Sequence, residues 1–399
     1  MRVVVNHKES TNLDESIIFE ILDLYSEEGL TERKVFKDAF LSGVIDYHSL
    51  VKEAEKILIP WQLFFLNREN FDKQVRHIEE QRKFKVTNKL VSKRKGTGQV
   101  TSKRIIDRLI RQQNFLNSVK SYPKNSFCGS LKRLRAPNAA RKISGWFEID
   151  QAHFWEMNAK AKALEYLIDK LDSKNINISR GVLTNKLLPH PRVVNNDIYK
   201  QTSGFVIRDE RIPTIFLPSE TNPDEVDGRQ IYTLIYLLAV IGLEQFDFLL
   251  TKNLTAKSIN SSRMSKRIHA ITSEFLMPSS QMGELEEGDI YPETIEELST
   301  RFKVTPTALL TTLQIREVIS EKKFNELKPE PYKPGLNNPH NGRTPKVSTS
   351  VRKFCGKELF DAINESLTNQ VLTSIQAQYL IFGAVNKTGF KRYRDELGL

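Results

Sequence analysis

The chain has 399 residues, 39% of them hydrophobic and 27% charged, and a formal net charge of +11. That is enough apolar material for two or three packed domains and the polarity of an ordinary water-exposed protein. The start, "MRVVVNHKESTNLDES", turns polar within six residues, so we expect no secretory h-region there, while the long apolar run "IYTLIYLLAVIGL", Ile231 to Leu243, has thirteen residues against the roughly 20 that a bilayer span needs. Two distant cysteines, Cys128 and Cys355, form no CxxC or zinc pattern, so we expect reduced thiols, a cytoplasmic protein and no membrane contact.

In chain order, "DESIIFEILDLYSEEG" predicts a helix with Ile17, Ile18, Ile21, Leu22 and Leu24 near one face and Gly29 as its stop. "TERKVFKDAFLSG" predicts a second, with Thr31 as N-cap and Gly43 after it. "DYHSLVKEAEKILIPWQLFFL" predicts a third that Pro60 breaks or redirects. "KLVSKRKGTGQVTSKR" has two glycines and no apolar period and reads as an exposed loop. "SKRIIDRLIRQQNFLNSVK" returns to helix, with Ile105, Ile106, Leu109, Ile110 and Leu116 inward and Arg104, Arg108 and Arg111 outward. "SYPKNSFCGSLKRLRAPNAARKISG" is turn-rich and basic and marks a domain boundary.

"GWFEIDQAHFWEMNAKAKALEYLIDKLDSKNI" begins extended and becomes an amphipathic helix to about Leu171. "SGFVIRDERIPTIFLP" predicts a β-hairpin around the polar "RDER". After a polar loop come the Ile231–Leu243 helix, a helix over "SSRMSKRIHAITSEFLMP" stopped by Pro278, and a helix pair in "TIEELSTRFKVTPTALLTTLQ" with Pro306 in the first turn of its second member. "KPEPYKPGLNNPHNGRTPK" reads as a linker. A helix around "KELFDAINESLTN" and a short closing unit end the chain.

The order "TIFLP", "YTLIYLLAVIGL", "RIHAITSEFLMP", "ELSTRFKVTPTALLTTL" resembles the ImmA/IrrE family of zinc metallopeptidases, over roughly Trp146 to Gln314. The resemblance implies a zincin-like α+β fold. The stretch "FLSGVIDYHSLVKEAEKILIPWQLFFL" is similar to the end of an Xre-type helix-turn-helix domain, but the sequence before it is too short for a full recognition helix. Carried over residue by residue, the first zinc histidine falls at Tyr236, the catalytic glutamate at Leu237, the second histidine at Val240 and the acidic third ligand near Ser265 or Arg267. Two imidazoles at i and i+4 and a neighbouring carboxylate are what such a centre requires, and these side chains supply neither. The seven histidines include no pair three or four apart, which leaves His269 as the candidate substitute ligand. We expect no metal and no cofactor, because a helix released from holding a metal is expected to exchange its buried polar ligands for aliphatic packing.

The charge is unevenly placed. From Arg82 to Lys142 there are eighteen Lys or Arg and one acid, Asp107, so this segment carries +17 and the rest of the chain −6. Lys93, Arg94, Lys95, Lys103 and Arg104 surround a glycine pair, and Lys132, Arg133, Arg135, Arg141 and Lys142 follow. Such a run suits phosphates and predicts DNA or RNA contact with steep salt dependence. The "GTG" lacks the GK[ST] of a P-loop. Trp61, Trp146 and Trp155 sit in apolar contexts and read as core rather than base-stacking residues.

The expected architecture is mainly helical α+β. It has a degenerate Xre-like helical domain over 1–120, an ImmA/IrrE-like domain with a small sheet over 121–330, a linker over 331–347 and a helical unit over 348–399. The resemblance implies a bacterial regulator of the toxin–antitoxin, phage or defence kind that binds a partner protein and DNA without cutting. The alternatives are a metallopeptidase or nuclease with a rearranged site, and a plain nucleic-acid-binding protein.

Overall fold

The computed structural model describes residues 1–24, 34–56, 59–86, 100–181, 203–218, 226–246, 259–260, 262–329, 346–383 and 385–399. Among them are eighteen α-helices and two three-stranded sheets, so the mainly helical α+β expectation holds.

The N-terminal unit is not purely helical. Strands β1 (Arg2–Val5) and β2 (Lys8–Asn12) form a hairpin. Its two turn residues, Asn6 and His7, have φ of 50° and 65°, the left-handed pair that a two-residue hairpin turn needs. Helices α1 (Glu15–Leu24) and α2 (Lys34–Ser42) follow; Gly43, at φ 67°, turns the chain into β3 (Val44–Asp46), which lies parallel to β1. Helix α3 (Tyr47–Lys56) leads past Pro60 to a short 3-10 turn over Trp61–Phe65 and then to α4 (Arg68–Lys85), N-capped by Asn67. Val3, Ile17, Ile21, Phe36, Ile45 and Leu50 are buried in its core. A strand thus lies between "FLSG" and α3. The predicted cap Thr31 and stop Gly29 lie outside the described residues.

Helix α5 (Val100–Val119) starts within what reads as loop, and α6 (Ala136–Trp146) occupies the end of the basic stretch expected to be turn-rich. Pro137 explains the second: in the first turn its missing N–H costs nothing. Then come α7 (Gln151–Glu156), α8 (Lys160–Asp172), β4 (Asn177–Arg180), β5 (Phe205–Ile207), β6 (Thr214–Leu217), α9 (Val226–Leu243), α10 (Arg263–Leu276), α11 (Ser279–Met282), α12 (Pro292–Arg301), α13 (Pro306–Ile315) and α14 (Glu321–Leu327). The second sheet has the order β4-β6-β5. The expected hairpin is present as antiparallel β5 and β6, with β4 parallel to β6.

This sheet is covered on both faces, which explains the nearly unbroken apolar runs of β5 and β6. Ile178, Val206, Ile215 and Leu217 join the core built with α8 and α9, whereas Phe205, Ile207 and Phe216 face a second core. That second core is made by α5 and by α15 (Val347–Cys355), α16 (Lys357–Thr368), α17 (Ser374–Phe382) and α18 (Lys387–Leu397). The side chains of Asn177 and Ser179 in β4 donate to the carbonyls of Cys355 and Phe354. Helices of the C-terminal unit expected over 348–399 thus share a core with this sheet. Arg108, expected outward, is 3% exposed for the same reason, with its guanidinium carbon 4.0 Å from the Phe354 ring centroid. Burial lowers its pKa to about 9, the nearby Cys355 opposing that shift.

Candidate functional site

Helix α9 runs through the middle of the larger core. Ile231, Leu234, Ile235, Leu237, Leu238, Val240 and Ile241 are all buried, as are Tyr232 and Tyr236. An all-round apolar helix is what a segment packed on every side requires. The sheet lies so close that a Cβ on Gly204 would come within 2.8 Å of Thr233 Cγ2 and 3.0 Å of Leu237 Cδ1. At its start, Gly228 lies against the backbone of Val304 and Thr305, in the turn between α12 and α13. At its end, Gly129 and Leu131 donate backbone hydrogen bonds to the carbonyls of Ile241 and Gly242. Of the four stretches on which the family resemblance rests, "TIFLP", "RIHAITSEFLMP" and "RFKVTPTAL" therefore all pack against α9, which holds the fourth.

Helix α10 packs against α9 and α6. Ser262 caps it by accepting from the Ser265 N–H. At its other end Gln151, Trp155 and Arg316 donate to the carbonyls of Phe275, Leu276 and Met277, which satisfies the last-turn acceptors that a helix cannot pair itself. His269 faces α9. Its Nδ1 is 2.9 Å from Tyr232 Oη, and its ring centroid is 5.0 Å from that of Tyr236. Burial holds His269 neutral, with its pKa lowered to about 3, and raises both tyrosines well above their ordinary value.

The positions carried over from the peptidase motif are thus Tyr236, Leu237 and Val240 inside the core, with His269 opposite Tyr236. Arg267 turns elsewhere. Its Nη2 donates to the carbonyls of Leu131, Lys132 and Leu134 and pins the turn before α6. A zinc centre does not fit this set. One imidazole whose Nδ1 is engaged by a tyrosine, surrounded by aliphatic side chains, offers neither three ligands nor a base. Among the described residues, no group of three or more His, Cys, Asp or Glu gathers in metal-binding proximity.

The basic segment separates into structural and surface cations. Arg82 and Lys85 are buried and make ion pairs with Asp107, at 2.7 Å, and Asp209, at 2.9 Å. Lys85 also donates to Gln113 Oε1. Lys93, Arg94 and Lys95 lie outside the described residues, and Lys103 and Arg104 stand in the first turns of α5. Lys132, Arg133, Arg135, Arg141 and Lys142 are exposed, on α6 and the turn before it. Lys132 pairs with Glu244 and Arg141 donates to Asn138, while Arg133, Arg135 and Lys142 have no ion-pair partner among the described residues. Trp61, Trp146 and Trp155 are partly buried against the cores.

A feature that sequence reasoning missed is a cavity of about 270 Å³ at the β5–β6 turn, lined by Phe84, Lys85, Asn117, Arg208, Asp209 and Arg211 among others. The Arg208 guanidinium lies 5.3 Å from the Phe84 ring centroid and 5.2 Å from that of Phe246. Nothing in "RDER" or in the isolated Phe84 signals that these groups meet.

No helix among the described residues is long and apolar enough to cross a membrane. Comparison of the chain with family models, with curated proteins and with solved structures finds no match.

Proposed function

We propose that this chain is a non-catalytic regulatory protein of the ImmA/IrrE type, which binds a partner protein and contacts nucleic acid through its basic segment. What supports the reading is the packing at Tyr236, Leu237, Val240 and His269, where a tyrosine–histidine contact and aliphatic side chains stand at or beside the positions to which the resemblance assigns the peptidase residues. A scaffold kept for its surface can exchange catalytic groups for core without losing shape. The exposed, unpaired Arg133, Arg135 and Lys142 support the nucleic-acid contact. They equally support the second reading, a plain nucleic-acid-binding protein.

Elemental analysis of the purified protein tests the non-catalytic part. The expected result is no stoichiometric zinc and no change in melting temperature on adding a chelator. Zinc bound one to one and lost in His269→Ala overturns it. Exchange of Arg133, Arg135 and Lys142 for alanine is expected to weaken DNA binding and flatten its salt slope; unchanged binding removes these residues from the interface.

A further inference from the structure

We propose that α18 is a second, preformed nucleic-acid contact and that its basic face binds the phosphates of duplex DNA. Lys387, Lys391 and Arg394 recur at i, i+4 and i+7 and share one side of the helix, over a length of about 10 Å. They line a groove of about 410 Å³ together with Ser374 and Gln378 of α17 and one acid, Asp395. All three cations are exposed, and none has an ion-pair partner among the described residues.

The helix is held firmly from its other side, so the charges are presented on a rigid element. Phe390 and Tyr393 are buried and stacked, with ring centroids 6.0 Å apart, and the Tyr393 hydroxyl donates to Asn364. Glu396 accepts from the backbone N–H groups of Val347 and Ser348, at 3.1 and 2.7 Å. The residues that end α17 and begin α18 are also held by hydrogen bonds. Gly383 ends α17 in the left-handed region at φ 76°, and the Asn386 side chain caps α18 by accepting from Gly389 N–H. The Asn386 N–H donates 2.8 Å to the buried Gln378 side chain, which in turn donates to the Ser374 carbonyl. The second helix is basic and exposed, and a helix presented in this way can enter a DNA groove. A major groove about 12 Å wide admits a helix, whereas the deep, narrow one of duplex RNA does not.

This contact does not depend on the basic segment 82–142. The test is the affinity of the full chain for a short fluorescent mixed-sequence DNA duplex over a range of salt. The variant K387A/K391A/R394A is expected to bind at least about ten-fold more weakly near 0.1 M salt, with a log–log salt slope shallower by about 2 to 3. The charge-keeping set K387R/K391R/R394K is expected to retain binding. If the triple variant melts early, the single exchanges Lys391→Gln and Arg394→Gln decide, each expected to weaken binding several-fold. Unchanged affinity and slope overturn the proposal, as does an equal loss on a matching RNA duplex or the absence of DNA binding by the parent chain. R133A/R135A/K142A is measured alongside: a loss confined to that variant sinks the α18 contact and leaves the segment standing, and a loss confined to the α18 variants does the reverse.

Discussion

Burial keeps the proton off His269. Its pKa falls from an ordinary 6.5 to about 3, so the unfolded chain takes up a proton below pH 6.5 that the folded chain refuses. Stability from this residue is complete above pH 6.5 and declines as pH falls toward 3, at up to about 1.4 kcal/mol per pH unit. Asp172 has the opposite sign. Burial, with Asp169 and Glu358 nearby and a hydrogen bond from Ile178 opposing, raises its carboxyl to about 7, so its penalty is present above pH 7 and fades as pH falls toward 4. Urea unfolding at pH 5 and pH 7 separates them. His269→Phe is expected to remove the acid-side loss, and Asp172→Asn the alkaline-side penalty. Leu237, fully buried beneath the sheet, provides a harsher test. Restoring the glutamate of the resemblance, Leu237→Glu, puts a carboxylate where nothing compensates it and is expected to cost about 3 kcal/mol or more, read as a lower denaturation midpoint.

At the scale of elements, periodicity located helices well where one face is apolar. It located α1 and α10, the uninterrupted apolar run located α9, and the β5–β6 hairpin followed from its polar "RDER" turn. It missed β1 to β3 because "KESTN" has no alternation and is exposed throughout, and it missed β4 because "NISR" is buried by the wrap of distant helices rather than by its own pattern. Arg108 was misplaced for a related reason: charge argues for solvent, and only α15 arriving with Phe354 makes a buried guanidinium tenable. The candidate site was legible as a loss, from Tyr236, Leu237 and Val240 alone; the Tyr232–His269 contact that fills it depends on how α9 meets α10. The end of α9 depends in turn on Gly242, where a Cβ would collide with Leu131 in the turn before α6. Gly242→Ala is expected to destabilise by about 1–3 kcal/mol, with Leu131→Ala in the same chain recovering part of the loss in thermal melts. Removing Asp209 from Lys85 strands a buried cation, and Asp209→Ala is expected to cost about 3–5 kcal/mol in the same assay.

For the whole molecule, the sheet with its two covered faces decides what can be separated from what. Phe205, Ile207 and Phe216 share a core with Val351, Phe354, Leu359 and Ile363. A chain cut before residue 346 is therefore expected to bare an apolar sheet face, bind a hydrophobic dye and associate on a sizing column, although every residue of the larger core is still present. A monomeric, dye-free product would show that the two cores stand apart.

The same wrapping imposes an order of events on the ribosome. Phe205 and Phe216 leave the exit tunnel long before Val351 and Phe354 exist, and at about 5–20 residues per second the wait is on the order of ten seconds. For that interval the nascent chain carries an uncovered strand pair, so its yield in a cell should track the supply of a holdase chaperone more closely than its final stability would suggest.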